Sequence, residues 1–158
     1  MQCLALGCEG RSLAGRSAAC LWGLPISSTG TLTVEVVGKT ERTRARTVYR
    51  HVPPGGIVSA EVNGFRVLLT SPQLTVIDIA RWHGIGEAVR VAEAALYKKV
   101  IDMEALERAL TSRSRCHNMD QAREAMRFIT GFSESPGKVT SKSHSLRLVT
   151  RLRTSKPK

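Results

Sequence analysis

FRVLLTSPQLTVIDIARWHGIGEAVRVAEAALYKK, residues Phe65–Lys99, decides the architecture. A β-rich run, Phe65–Thr70, stops at Ser71-Pro72 and gives way to two amphipathic stretches. Ser71 is placed to cap the free amides of a helix start. Pro72 suits the first turn, where no N–H is needed. Leu74, Ile77, Ala80 and Arg81 recur with helical period, and Val76 and Ile79 widen the apolar stripe. Gly84 and Gly86 separate this helix from a second, Glu87–Lys99, whose Val89, Ala92, Ala95 and Leu96 form one face.

Upstream, Asn63-Gly64 lies between Ile57–Val62 and Phe65–Thr70, the strongest short-range hairpin signal. Pro53-Pro54-Gly55-Gly56 is a break. Thr31–Val37 and Thr47–Val52 are rich in β-branched residues and read as strands, with a charged turn, Lys39–Arg46, between them. Ser12–Trp22 reads as a short helix that Gly23-Leu24-Pro25 ends. Downstream, Asp102 caps a helix over Met103–Leu110, and a last helix starts at Asn118 or Asp120 and closes at Gly131. The order predicts an α+β fold: an N-terminal helix, a small antiparallel sheet of about four strands, about four bundled helices and a basic irregular tail. Residues 12–131 form the domain and residues 132–158 the tail.

The chain has 158 residues and aromatics make up only 4%, so the core must be aliphatic. That scarcity also argues against base-stacking surfaces. The formal net charge is +11, unevenly placed. Residues 138–158 hold seven Lys/Arg and no acid, including Lys142, Arg147, Arg151 and Arg153, whereas residues 1–137 carry only +4. Such an arm can contact nucleic acid without sequence preference, but a solvated tail is the favoured reading. Arg42, Arg44, Arg46 and Arg50 are a second basic group; alternation would set Arg44, Arg46 and Arg50 on one face, a solvated face by the favoured reading and a phosphate contact by the alternative.

Cys3, Cys8, Cys20 and Cys116 share no metal-type spacing and read as reduced thiols of a cytoplasmic protein. Leu6-Gly7-Cys8 lacks the basic and apolar flanks of a lipoprotein signal. No window is long and apolar enough for a membrane span. His51, His83, His117 and His144 have no zinc-type spacing, and Ser17 and Ser71 lack a nucleophile's partners. Asp78 is the one acid inside an apolar helix stripe. A structural bond to a neighbouring amide or to Arg81 is the favoured role, since no partner acid for catalysis is in view. No cofactor, metal or catalytic residue is assigned.

Four segments in order resemble one family. Gly15–Pro25 (GRSAACLWGLP, with Arg16 and Trp22) is similar to its RSAAxLWGLP helix. Val67–Arg81, containing Ser71, Pro72, Asp78 and Arg81, resembles its V-T-S-P-x-R-T-x-x-D-L-A-R segment. Glu87–Leu96 is similar to its EAVVxxDAAL helix. Gly131–Gly137, with Glu134, Ser135 and Pro136, resembles its G-x-S-E-S-P-x-E junction. The family is that of the abortive-infection, type IV toxin–antitoxin antitoxins and their actinobacterial relatives, many of which end in a very-short-patch-repair-like endonuclease domain.

The resemblance implies a winged-helix DNA-binding domain before residue 12, which this sequence does not contain, so the chain looks like a truncated member. It also implies nuclease carboxylates after Glu134. Lys138 stands where a second Glu is common, and residues 138–158 supply no acid to hold a metal ion. The expected function is therefore a non-enzymatic, antitoxin- or regulator-like interaction module, with a cognate toxin protein as partner through the helices from Leu74 to Ile129. The alternative is an inactive remnant of a repair-type endonuclease, and a third reading is a gene fragment without selected function.

Overall fold

A computed structural model describes residues 11–27 and 33–129. The tail 132–158, with Glu134, Ser135, Pro136, Lys142, Arg147, Arg151 and Arg153, lies outside the described residues.

The fold is α+β, with five strands and five helices among the described residues. Helix α1 (Gly15–Leu21) is followed by strands β1 (Val34–Gly38), β2 (Arg42–Arg44), β3 (Thr47–His51), β4 (Ile57–Val62) and β5 (Phe65–Thr70). Helices α2 (Pro72–His83), α3 (Ile85–Tyr97), α4 (Met103–Ser112) and α5 (Met119–Phe128) complete it. The expected hairpin is present. β4 and β5 pair antiparallel from Ile57↔Thr70 to Val62↔Phe65. Asn63 and Gly64 both take positive φ, 50° and 80°, as a two-residue turn requires.

Two features differ from the expectation. The stretch Lys39–Arg46 is not all turn, because β2 lies within it. Strand order is β1-β3-β2, and β1 runs parallel to β3 although the other strand pairs are antiparallel. β2 holds three exposed residues, Arg42, Thr43 and Arg44, so it belongs at an edge. The more apolar β3, with Val48 and Tyr49, takes the inner place. The second difference lies at residues 12–14, expected as helix. They are extended and join the two sheets. Leu13 donates to Leu68 O (2.8 Å) and accepts from Thr70 N (2.9 Å), while Ala14 N donates to Glu35 O (3.1 Å) and Val37 N to Ser12 O (2.8 Å). The helix begins only where Gly15, at φ +50°, turns the chain.

The core is aliphatic, built on Leu69, Val76, Ile77, Ile79, Val91 and Leu106 with many alanines. Helix α2 is its axis. It packs against α1, α3, α4 and α5, and every residue from Leu74 to Arg81 is buried. A helix covered all round is apolar all round, so the two charged residues within it, Asp78 and Arg81, need each other.

Helix starts divide by chemistry. Asp102 caps α4 as expected, accepting from Ala105 N at 2.6 Å. Ser71 does not cap α2. Pro72 holds the first position, but the Ser71 hydroxyl has no hydrogen-bond partner. The Ser71 amide bonds Gly56 O instead, at 2.8 Å, and ties the helix start to the Pro53–Gly56 break.

Candidate functional site

Glu35 is the centre of the largest charged cluster. It lies on β1 and is 2% exposed. Its Oε1 accepts from Arg50 Nε (3.0 Å) and Nη2 (2.7 Å) and from His83 Nε2 (2.8 Å). Its Oε2 accepts the backbone N–H of Arg16 at 2.5 Å. The Arg16 side chain reaches the other way, onto Glu87 of α3, in a two-pronged pair (Nε–Oε1 2.8 Å, Nη2–Oε2 2.5 Å). Burial works against the charged form of both carboxylates. The bonds from His83, Arg50 and Arg16 to Glu35, and from Arg16 and Ser27 N to Glu87, outweigh it, so both lie below their ordinary value. The Glu87 carboxylate in turn raises Arg16. Trp82 closes the cluster, with the Arg50 guanidinium 4.8 Å from its ring centre and that of Arg81 at 5.0 Å.

A second charged group sits inside the helices. Asp78 Oδ1 accepts from Arg81 Nη1 at 2.8 Å, as expected for Asp78. Arg81 also donates from Nε to His117 O (2.8 Å), which anchors the start of α5 to α2. Asp78 Oδ2 is buried without a hydrogen bond. Desolvation dominates and pushes the Asp78 carboxyl up to about 6, although Arg81 and Arg113 pull it down. Arg113 itself is buried and donates to Pro53 O (2.8 Å) and Gly55 O (2.7 Å), fastening the loop before β4 to the end of α4. Ser71 and Arg113 share the wall of a pocket of about 440 Å³ with Arg108.

The four arginines of the β2–β3 region part company. Register sets Arg42 opposite Tyr49 and Arg44 opposite Thr47, whereas Arg50 points to the other side of the sheet with Val48. Arg46 lies in the turn. Arg44, Arg46 and Arg50 therefore do not share a face, because Arg50 is drawn inward by Glu35. On the opposite side, Tyr49 gathers two guanidiniums over its ring, Arg42 at 4.5 Å and Arg11 at 5.3 Å. Arg11 also donates to the Tyr49 hydroxyl. That bond, with the positive charge of Arg11 and Arg42, holds the phenol below its ordinary value.

Among the described residues, no group of three His, Cys, Asp or Glu side chains could hold a metal ion, and no helix is long and apolar enough to cross a membrane. Among the described residues Cys116 is in no disulfide, and burial pushes the Cys20 thiol up.

The motif residues are mostly internal ties. Trp22 donates from Nε1 to Thr70 O at 3.0 Å, locking α1 onto the residue before Ser71-Pro72. Arg16 and Glu87 join α1 to α3. Sequence reasoning missed Glu35, His83, Glu87 and Arg113 as members of these clusters. Glu35 alone carried a usable signal, as the single acid within the β-branched run Thr31–Val37. Compared with known proteins, the chain matches no family model, no curated protein and no solved structure.

Proposed function

We propose that this chain is a non-enzymatic interaction module of the kind that forms the central and helical part of abortive-infection, type IV antitoxins. Its partner is a cognate toxin protein, contacted through the helical half. The supporting observation is that three of the four family-like segments interlock by direct bonds. Trp22 of the first donates to Thr70 in the second, and Arg16 of the first pairs with Glu87, which opens the third. Segments that together make one scaffold would be expected to meet. Their charged groups are spent on one another, which leaves contact to the surface.

That surface offers apolar anchors on the helices. Tyr97 of α3 is 79% exposed and Phe128 of α5 is 57% exposed. Large exposed apolar side chains suit protein contact better than solvent. The module works in the cytosol, where Cys20 and Cys116 stay reduced, and it needs no cofactor.

The test is co-expression of the full chain with a nucleotidyltransferase-like toxin, taken from the neighbouring gene where that gene encodes one. The two are expected to co-purify, and the chain is expected to relieve the toxin's growth arrest. Tyr97→Glu with Phe128→Glu should abolish both while leaving the melting temperature in place. No complex together with no rescue overturns the proposal, as does metal-dependent DNA cleavage by the purified chain.

A further inference from the structure

The outer side of β2–β3 carries a charge that the fold leaves uncompensated. In the described residues, Arg16, Arg50, Arg81, Arg108 and Arg123 each pair with a carboxylate. Arg42, Arg44 and Arg46 have no such pair and are exposed. Glu41 is the only acid from residue 39 to residue 51. Arg11 and Arg42 are not loose either. Both guanidiniums rest over the Tyr49 ring, one of them also bonded to its hydroxyl. Stacking on an aromatic face orients the guanidinium fork before any ligand arrives, so less side-chain entropy is lost on binding.

We propose that the Arg11–Tyr49–Arg42 stack, continued by Arg44 and Arg46, is a face that binds the phosphate backbone of nucleic acid without reading its sequence. It is a second surface, separate from the helical contact proposed above, and does not depend on it. Three features select this ligand. The cations are arginines, whose forks match a phosphate's paired oxygens. They are spread along an edge strand, where Arg42 and Arg44 stand about 6.8 Å apart as residues two positions apart on one side of a strand. A linear polyanion can follow that edge, whereas a compact anion cannot reach all of it. Tyr49 is occupied by guanidiniums on its ring, so it orients the arginines and does not stack bases. The backbone is then the contact, and bases are ignored. Ala45, between Arg44 and Arg46, holds φ +52°, as the two-residue turn between β2 and β3 requires, and it sets the two arginines on either side of the bend. Arg50 is not part of this face, being committed to Glu35.

The experiment measures fluorescence anisotropy with a labelled poly(dT) strand and, in a second arm, a labelled mixed-sequence duplex. The full chain is used throughout, so that the basic residues 138–158 contribute equally to every variant. Arg42→Gln, Arg44→Gln and Arg46→Gln are combined in one variant. Arg66→Gln, Arg90→Gln and Arg127→Gln, exposed arginines elsewhere, form a control with the same change in charge. The first variant is expected to bind at least about tenfold more weakly at low salt, with the slope of log K against log salt reduced by about two for the strand and nearer three for the duplex. The control should lose less than about threefold. Whichever arm shows the larger loss identifies the strandedness of the ligand. Equal losses in the two variants overturn the proposal, since the effect is then net charge. So does poly-glutamate displacing the labelled strand as well as unlabelled poly(dT) does at equal charge, since the face then takes acidic chains of any kind.

Discussion

Gly15 carries no side chain because Glu35 occupies the space. A Cβ at this position would lie 2.1 Å from Glu35 Oε2, and the residue sits at φ +50°. Both facts follow from one requirement. The chain must leave the extended bridge at Ala14 and present the Arg16 amide to the Glu35 carboxylate within two residues. Gly15→Ala should therefore destabilise the protein by about 3 kcal/mol, from a left-handed backbone cost of about 1–2 kcal/mol and an overlap cost of similar size. Urea unfolding measures it. A loss below about 1 kcal/mol would mean that Glu35 moves aside freely, which its other bonds to Arg50 and His83 oppose. None of these partners could be paired from the sequence. Arg16 and Glu87 lie far apart in the chain, as do Glu35 and His83, and no local pattern signals a contact made only after helices and sheet have come together. Asp78–Arg81 was readable because the two residues are three apart on one helix.

At the scale of elements, local chemistry announced itself and pairing did not. Asn63-Gly64, Pro72 and Asp102 are short-range devices, each visible within four residues, and the hairpin and helix starts they mark are present. The parallel β1–β3 pair and the strand-like bridge at residues 12–14 depend on partners elsewhere, so periodicity assigned residues 12–14 to a helix they only precede. The β4–β5 hairpin shows how limited the reach of one element is. Gly64 has φ +80° and open space around it, so Gly64→Ala adds backbone strain without a clash. The expected cost is about 1–2 kcal/mol, smaller than at Gly15. It should be local, because the tip side chain Phe65 is 63% exposed and strand β4, among the described residues, is paired only with β5. Amide exchange should speed up in Ile57–Phe65 before it does in α2 or α3. Uniform loss of protection across the helices would show that the hairpin is welded to the core along its whole length.

Among the described residues the other four helices pack around α2, and the pH dependence follows from that plan. Burying α2 on all sides takes Asp78 out of water, and Arg81 compensates only in part, so the carboxyl is pushed up to about 6 in the folded protein. The folded state therefore binds this proton more tightly than the unfolded chain. The stability that Asp78 contributes is fully present at acidic pH, below the ordinary carboxylate value, and is lost as pH rises through about 6. Glu35 and Glu87 act in the opposite sense. Their lowered values give stability that is present above the ordinary glutamate value and lost as pH falls. The native profile is the sum, and the two trends oppose each other in the acid range. Asp78→Asn separates them, because asparagine keeps the shape and the amide can still face Arg81 but nothing titrates. The difference in unfolding free energy, native minus variant, should fall by about 3 kcal/mol between pH 3.5 and pH 7, at about 1.4 kcal/mol per pK unit, and level off beyond both limits. Denaturant titrations of the two proteins across that range measure it. A difference that stays constant, or that rises with pH, would mean that Arg81 and Arg113 outweigh desolvation, and that the core of this fold holds Asp78 as a favourable ion pair.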